Sequence, residues 1–344
     1  MLIYDINNYE NKNSLMNKLF VSKEFIKIFS ILYDTARLGK LKIINKKDYK
    51  TKIYPIKKQK GICVCVTGKY ENLYAKEFVE YYKKIGFDKI IIFDNNNLNE
   101  EKFEDVLKEY KIKKYIEIID IRNFESAQIP AYNYCYQKYK NNFDWILFLD
   151  FDEFLSIQNE QNINQFIYNE KFKKCQSIVF NRKIYDDNDL YKYDNRTLIQ
   201  RFNRVSLLNH CSIKTMVRGG INNLIIPNTH FSGINIQYFC NSEGQRIYPN
   251  SFFKLNCKVR NNSAFIKHFF TKTAEEFCNK MKRGDAHFNK MNPNLKYIIS
   301  SKIRSFFIIN KITEKKLQIM EKCLNISLYK FRSKLIILNN SKFK

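Results

Sequence analysis

The chain has 344 residues, 44% of them hydrophobic and 15% aromatic, which excludes a wholly disordered protein and allows one large core or one domain with appendages. Sixty basic residues against 34 acidic ones give a net charge of +26, which predicts anionic partners: nucleic acid, an anionic membrane face or phosphorylated small molecules. No run of roughly 20 apolar residues reads as a membrane span, the start MLIYDINNYE does not read as a secretory leader, and nine scattered cysteines without zinc spacing suit a reducing cytoplasm.

Residues 1–60 are polar and Lys-rich and are expected to form an N-terminal extension. A regular alternation follows. ICVCV (62–66) reads as a buried strand, with Cys63 and Cys65 as core thiols on one face. Ala75, Phe78, Val79 and Tyr82 share one helical face, and Gly86 is a plausible stop for that helix. KIIIF (89–93) is a second strand. Phe103, Val106, Leu107 and Tyr110 repeat the helical spacing, and YIEII (115–119) is a third strand. A helix near 127–140 leads into WILFL (145–149), the fourth. The order βαβαβαβ predicts an α/β fold with a Rossmann-like parallel sheet flanked by helices. After residue 175 the segments QSIVFN, LIQRF and SIKTMVR read as short additional mixed strands. Residues 293–344 read as a basic helical C-terminal region, leaving 61–292 as the central domain.

Ligands of open α/β sheets bind beyond the carboxyl ends of the strands. Those ends read Thr67-Gly68-Lys69, Asp94-Asn95-Asn96, Asp120-Ile121-Arg122 and Asp150-Phe151-Asp152-Glu153. A turn after Leu149 lets Asp150 and Asp152 face one edge, where two carboxylates suit Mn²⁺ or Mg²⁺ bridging a phosphate. The plainer reading is that Asp152 or Glu153 caps a following helix. Asp94 suits the edge of a base or ribose, or an Asx-turn. Glu71 suits ribose, or the N-terminus of the first helix. Arg122 is counted with the donor-binding residues. Tyr70, Tyr132 and Tyr134 are candidates for stacking on a base or sugar, and His230 for the acceptor side.

The stretches VTGKYENLYAKEFVEYYKKIGFDKIIIFDNNN, AYNYCYQKYKNNFDWILFLDFDEFL and IKHFFTKTAEEFCNKMKRGDA together resemble the glycosyltransferase family 92 / family 2-like group over residues 60–290. The resemblance implies a GT-A-type fold, a nucleotide-sugar donor and a divalent metal at an Asp-x-Asp motif, matched by Asp150 and Asp152. It implies a donor loop at Thr67, Lys69 and Glu71, where Lys-Tyr-Glu replaces the more usual Lys-Asn-Glu. His268 matches a C-terminal histidine that ligates the metal or contacts the diphosphate; a packed histidine beside two Phe is the alternative. Lys272 and Arg283 are candidate phosphate partners, against a solvated basic face. An inverting transfer needs a carboxylate base, for which Asp186 and Asp187 in IYDDNDL are the candidates, against a polar turn.

The expected activity is hexosyl transfer from a nucleotide sugar, with UDP as the expected nucleotide, to a glycan or lipid-linked glycan. The protein is expected in the cytoplasm, and no nucleic-acid partner is expected. The C-terminal region reads equally as an amphipathic anchor on the inner, anionic membrane face or as a helical cap. A metal-dependent nucleic-acid binder or nuclease is the alternative class, disfavoured because no recognition motif appears. A phosphohydrolase with Asp150 as nucleophile would put that Asp after the first strand.

Overall fold

The computed structural model describes residues 52–206, 212–230, 236–247, 262–283 and 295–329, with backbone alone for 283 and 295–300. Most of the expected N-terminal extension, the side chain of Arg283 and the last fifteen residues lie outside the described residues.

The alternation is observed as β1 (Ile62–Gly68), α1 (Asn72–Lys84), β2 (Lys89–Asp94), α2 (Phe103–Ile112), β3 (Ile116–Asp120), α3 (Gln128–Tyr139) and β4 (Trp145–Leu149). β1 pairs in parallel with β2 and β4, and β2 with β3. The period-two pattern divides β1 between two cores. Ile62, Val64 and Val66 pack with the α1 face of Ala75, Phe78, Val79 and Tyr82 and with Leu107 of α2. Cys63 and Cys65 pack on the other face with Ala131, Tyr132 and Cys135 of α3. Each large apolar side chain so buried contributes on the order of 1.5–3 kcal/mol, so this three-layer half holds its strand ends rigidly.

The second half contains β5 (Glu153–Ile157), α4 (Ile163–Ile167), β6 (Ser177–Ile184), α5 (Leu198–Arg201), β7 (Ile213–Arg218), β8 (Phe239–Asn241), β9 (Arg246–Ile247) and β10 (Ala264–His268). The sheet order is β3-β2-β1-β4-β7-β6-β10-β5, with β8 and β9 on a branch from β6. β7 is antiparallel to β4 and β6, β10 is parallel to β6, and β5 is antiparallel to β10. Six strands, β1 to β4, β6 and β10, therefore end at one edge, where β5 and β7 begin. A parallel half extended by mixed strands is the GT-A-type arrangement expected above.

One expected strand is a helix. LIQRF forms α5 because Thr197 and Gln200 make a capping box, and the Glu77 carboxylate accepts the N–H groups of Leu198 and Ile199. No helix follows the Asp-x-Asp; Glu153 opens β5 instead.

α6 (Ala274–Arg283), α7 (Leu295–Ile309) and α8 (Glu314–Leu324) form a third cluster, in which Phe277, Ile303, Phe306, Leu317 and Met320 are buried together. This packing is what the helical-cap expectation requires, and residues 330–344 of the alternative anchor lie outside the described residues. Among the described residues no helix is long and apolar enough to cross a membrane. Cys63, Cys65 and Cys135 are buried thiols, whereas Cys175 and Cys240 are joined in a disulfide. The sequence reading places these two among the scattered free thiols.

Candidate active site

The Asp-x-Asp motif forms a tight turn. Glu153 N donates to Asp150 O at 3.1 Å, and the Glu153 carboxylate accepts Asp150 N at 3.0 Å. Phe151, between the two aspartates, is driven into the core, stacked on Phe103 (4.8 Å between centroids) and tilted on Phe78 (4.9 Å). Gly68 makes room for it: a Cβ there would lie 2.5 Å from both Phe103 and Phe151. With Phe151 pinned, Asp150 and Asp152 leave the core together, close enough that each charge acts on the other. From α3, Tyr132 donates to Leu149 O at 2.8 Å and Gln128 donates to an Asp150 oxygen.

A buried charge network surrounds the turn. Lys214, at the start of β7 and fully buried, lies 2.9 Å from both Asp150 and Glu153. Glu153 also takes Arg182 of β6 at 3.1 Å. Asp152 takes Lys280 of α6 at 2.8 Å, with Lys272 at 3.6 Å and His268 Nε2 at 3.5 Å. Lys272 lies 3.8 Å from Glu71 and over the Tyr74 ring at 4.4 Å. Among the described residues, four carboxylates (Glu71, Asp150, Asp152, Glu153) thus meet four cations (Arg182, Lys214, Lys272, Lys280). Burial pushes the Asp150 carboxyl up, but Lys214 outweighs it and holds the pKa at about 2. Burial likewise opposes ionisation of Asp152, and Lys280, Lys272 and His268 hold it well below the usual range. Burial, then Lys214 and Arg182, push His230 down to about 3, so that imidazole is neutral beside Asp150.

Thr67, Glu71, Asp150, Asp152, His268 and Lys272 all sit at the shared strand edge. Lys69 is half-buried, with its ammonium 5.7 Å from the Tyr70 ring. Asp94 is one strand away from β1, in register with Gly68, and both its oxygens already accept backbone N–H groups, Asn96 and Phe103, each at 3.0 Å. It therefore closes the β2–α2 loop whatever else it touches. Arg122 forks onto Asp120 at 2.6 Å one strand further out. Tyr132 and Tyr134 are buried in the second core, so neither offers a free face for stacking.

Asp186 and Asp187 leave β6 at this same edge, but both carboxylates are engaged. Asp186 takes Arg204 at 2.6 Å. Asp187 is fully buried, with Lys316 of α8 at 2.7 Å, and its N–H donates to Asn310 at 2.8 Å. Asp187 thereby docks the C-terminal cap. The sequence reading missed Lys214, Arg182 and Lys280. A lysine opening the apolar strand IKTMVR was the available signal for the first.

Several buried polar atoms at the edge have no hydrogen-bond partner among the described residues: Thr67 Oγ1, Asn96 Nδ2, Thr271 Oγ1 and one ring nitrogen each of His230 and His268. Stranded polar atoms cost roughly 1–3 kcal/mol each, which fits a crevice shaped to bind a polar ligand. Two carboxylates and an imidazole are a donor set that suits Mn²⁺ or Mg²⁺. Among the described residues, no group of three or more His, Cys, Asp or Glu is already gathered to hold an ion. The donor types fit a divalent metal, and lysines hold the carboxylates in this arrangement.

The sequence profile of glycosyltransferase family 92 matches residues 58–304, most of the chain and all of this site. The chain belongs to glycosyltransferase family 92. This family 92 enzyme is 24% identical over 117 residues to a glycosyltransferase family 92 protein of Oryza sativa subsp. japonica, covering 34% of the chain and 20% of the relative. It is 24% identical over 109 residues to one of Ricinus communis, covering 32% and 19%. The matched stretches thus span about a fifth of the length of these relatives. Among solved structures, S. aureus TarS 1-349 in complex with UDP is similar with a TM-score of 0.37 at 12% identity, covering 77% of this chain and 71% of that one. GalNAc-T7 with UDP, GalNAc and Mn²⁺ is similar with a TM-score of 0.34 at 12% identity, covering 88% and 61%. Likenesses this loose carry no residue roles across.

Proposed function

We propose that this glycosyltransferase moves a hexosyl unit from a UDP-sugar to a hydroxyl of a glycan or lipid-linked glycan, with Mn²⁺ or Mg²⁺ held by Asp150, Asp152 and His268. The observation that carries this reading is the Asp150–Glu153 turn, which presents two ionised carboxylates at an edge where six strands end. A divalent cation bound there would offset charge on the departing diphosphate. Lys272, fixed in the left-handed backbone region at φ 53° and nearly buried, is suited to hold a diphosphate oxygen. The unpartnered Thr67 and Asn96 atoms, with Lys69, Glu71 and Asp94 beside them, suit the nucleoside and ribose; Arg122 stands at the outer limit of that subsite. Asp186, held by Arg204, is the proposed base for the acceptor hydroxyl. Asp187, fully buried against Lys316, is assigned to positioning that loop.

An anionic or lipid-linked acceptor, with an anionic membrane face as a further partner, is supported by the net charge of +26. The test is a screen of sugar nucleotides for release of nucleoside diphosphate, with and without Mn²⁺. Metal-stimulated release from one donor class supports the reading. Absence of release from every sugar nucleotide, with acceptor glycans supplied, would remove it.

A further inference from the structure

We propose that the Lys280 ammonium is a tethered counter-ion, which neutralises Asp152 while the donor is absent and yields it to the divalent cation when a nucleoside diphosphate binds. The inference rests on the metal-dependent reading above and adds to it the part played by Lys280.

The argument starts from charge. Among the described residues the four carboxylates around the turn are matched by four cations, so the charges described there balance without ligand. A dication entering alone would leave two uncompensated positive charges in a low-dielectric crevice, which is strongly unfavourable. A nucleoside diphosphate entering alone would bring negative charge next to Asp150 and Asp152. Entering together, the two ligands nearly cancel.

One cation must then leave Asp152 to make room, and the three lysines differ in their freedom to do so. Lys214 is fully buried between two carboxylates. Lys272 is 3% exposed, on left-handed backbone, and seated on Tyr74. Lys280 of α6 makes the shortest contact with Asp152, 2.8 Å, yet its side chain is the most exposed of the three, at 20%. A second seat is nearby, since its ammonium already lies 5.5 Å from the Phe270 ring. Lys280 is therefore a positioning residue that can exchange a carboxylate for a diphosphate oxygen without moving the backbone.

The test is Mn²⁺ titration of the full chain, followed by the electron paramagnetic resonance signal of free Mn²⁺, with and without UDP. In the wild type, Mn²⁺ binds weakly alone and UDP tightens it. Lys280→Met is expected to tighten Mn²⁺ binding without UDP by about tenfold, and to shrink the UDP effect by a similar factor, because the competing charge is gone. Lys280→Arg keeps the charge and is expected to keep the wild-type dependence, which separates competition from a packing effect. Unchanged or weaker Mn²⁺ binding by Lys280→Met without UDP overturns the inference while leaving the metal site standing. No Mn²⁺ binding by the wild type even with UDP would defeat the metal reading itself, and the coupling with it.

Discussion

At the scale of single residues, the position of the two aspartates depends on their neighbours. Phe151 anchors the turn and Gly68 gives it room, so Gly68→Ala is expected to destabilise the fold by about 1–3 kcal/mol and to weaken UDP binding, because a shifted Phe151 carries both aspartates with it. Thermal melting and UDP calorimetry on the same variant check this; the expected loss of stability with unchanged UDP affinity would uncouple the turn from the site. Asp94→Ala is expected to lower stability by about 2 kcal/mol, since two backbone N–H groups lose their acceptor. UDP affinity that falls further than a control cut of the same loop, Asn95→Ala, marks Asp94 as a donor contact as well. The Asp-x-Asp was legible in the sequence because a short apolar strand points to its own polar end. Its partners were not: Lys214 is 64 residues away and Lys280 is 128, and only the fold brings them to the turn.

At the scale of elements, the parallel half was readable because period-two and period-3.6 patterns are local, and the boundaries of β4 agree to the residue. The mixed half was less readable. α5 was mistaken for a strand because its cap depends partly on Glu77, more than 120 residues earlier in the chain. α1, α5 and α6 are tied at one buried point: Glu276 takes Arg201 at 2.7 and 2.9 Å, Tyr74 at 2.7 Å and Thr273 at 2.7 Å. Removing one partner of such a pair costs about 3–5 kcal/mol, so Glu276→Ala is expected to loosen α6 and, with it, Lys280. The same pair predicts acid lability. Burial opposes ionisation of Glu276, but Arg201, Tyr74 and Thr273 outweigh it, so its folded pKa lies below the unfolded value of about 4.3. Its contribution is therefore fully present above that value and is lost as pH falls through the folded pKa. Denaturation curves should show stability falling below about pH 4 in the wild type, and a shallower fall in Glu276→Ala. An identical pH dependence in the two proteins would contradict this.

At the scale of the molecule, the two expectations for the C-terminal region make different demands on its apolar residues. Phe306, Leu317 and Met320 are buried with Phe277 of α6, and Lys316 is buried against Asp187, so α7 and α8 are packed onto the mixed half. A chain ending at Asn292 would expose the α6 face and is expected to be insoluble. The full chain is expected to bind anionic vesicles through charge alone, with binding lost as salt rises; salt-resistant binding would show that apolar residues insert. Composition could not decide between cap and anchor, because the same alternation of basic and apolar residues serves both. The central claim is that Asp150 and Asp152 form the metal and diphosphate site of a glycosyltransferase. The measurement that tests it most directly is Mn²⁺-dependent release of nucleoside diphosphate by the wild type, Asp150→Asn and Asp152→Asn, each verified as folded. The account predicts metal-stimulated release by the wild type and a loss of about a hundredfold or more in both variants; wild-type rates from both variants in Mn²⁺ would contradict it.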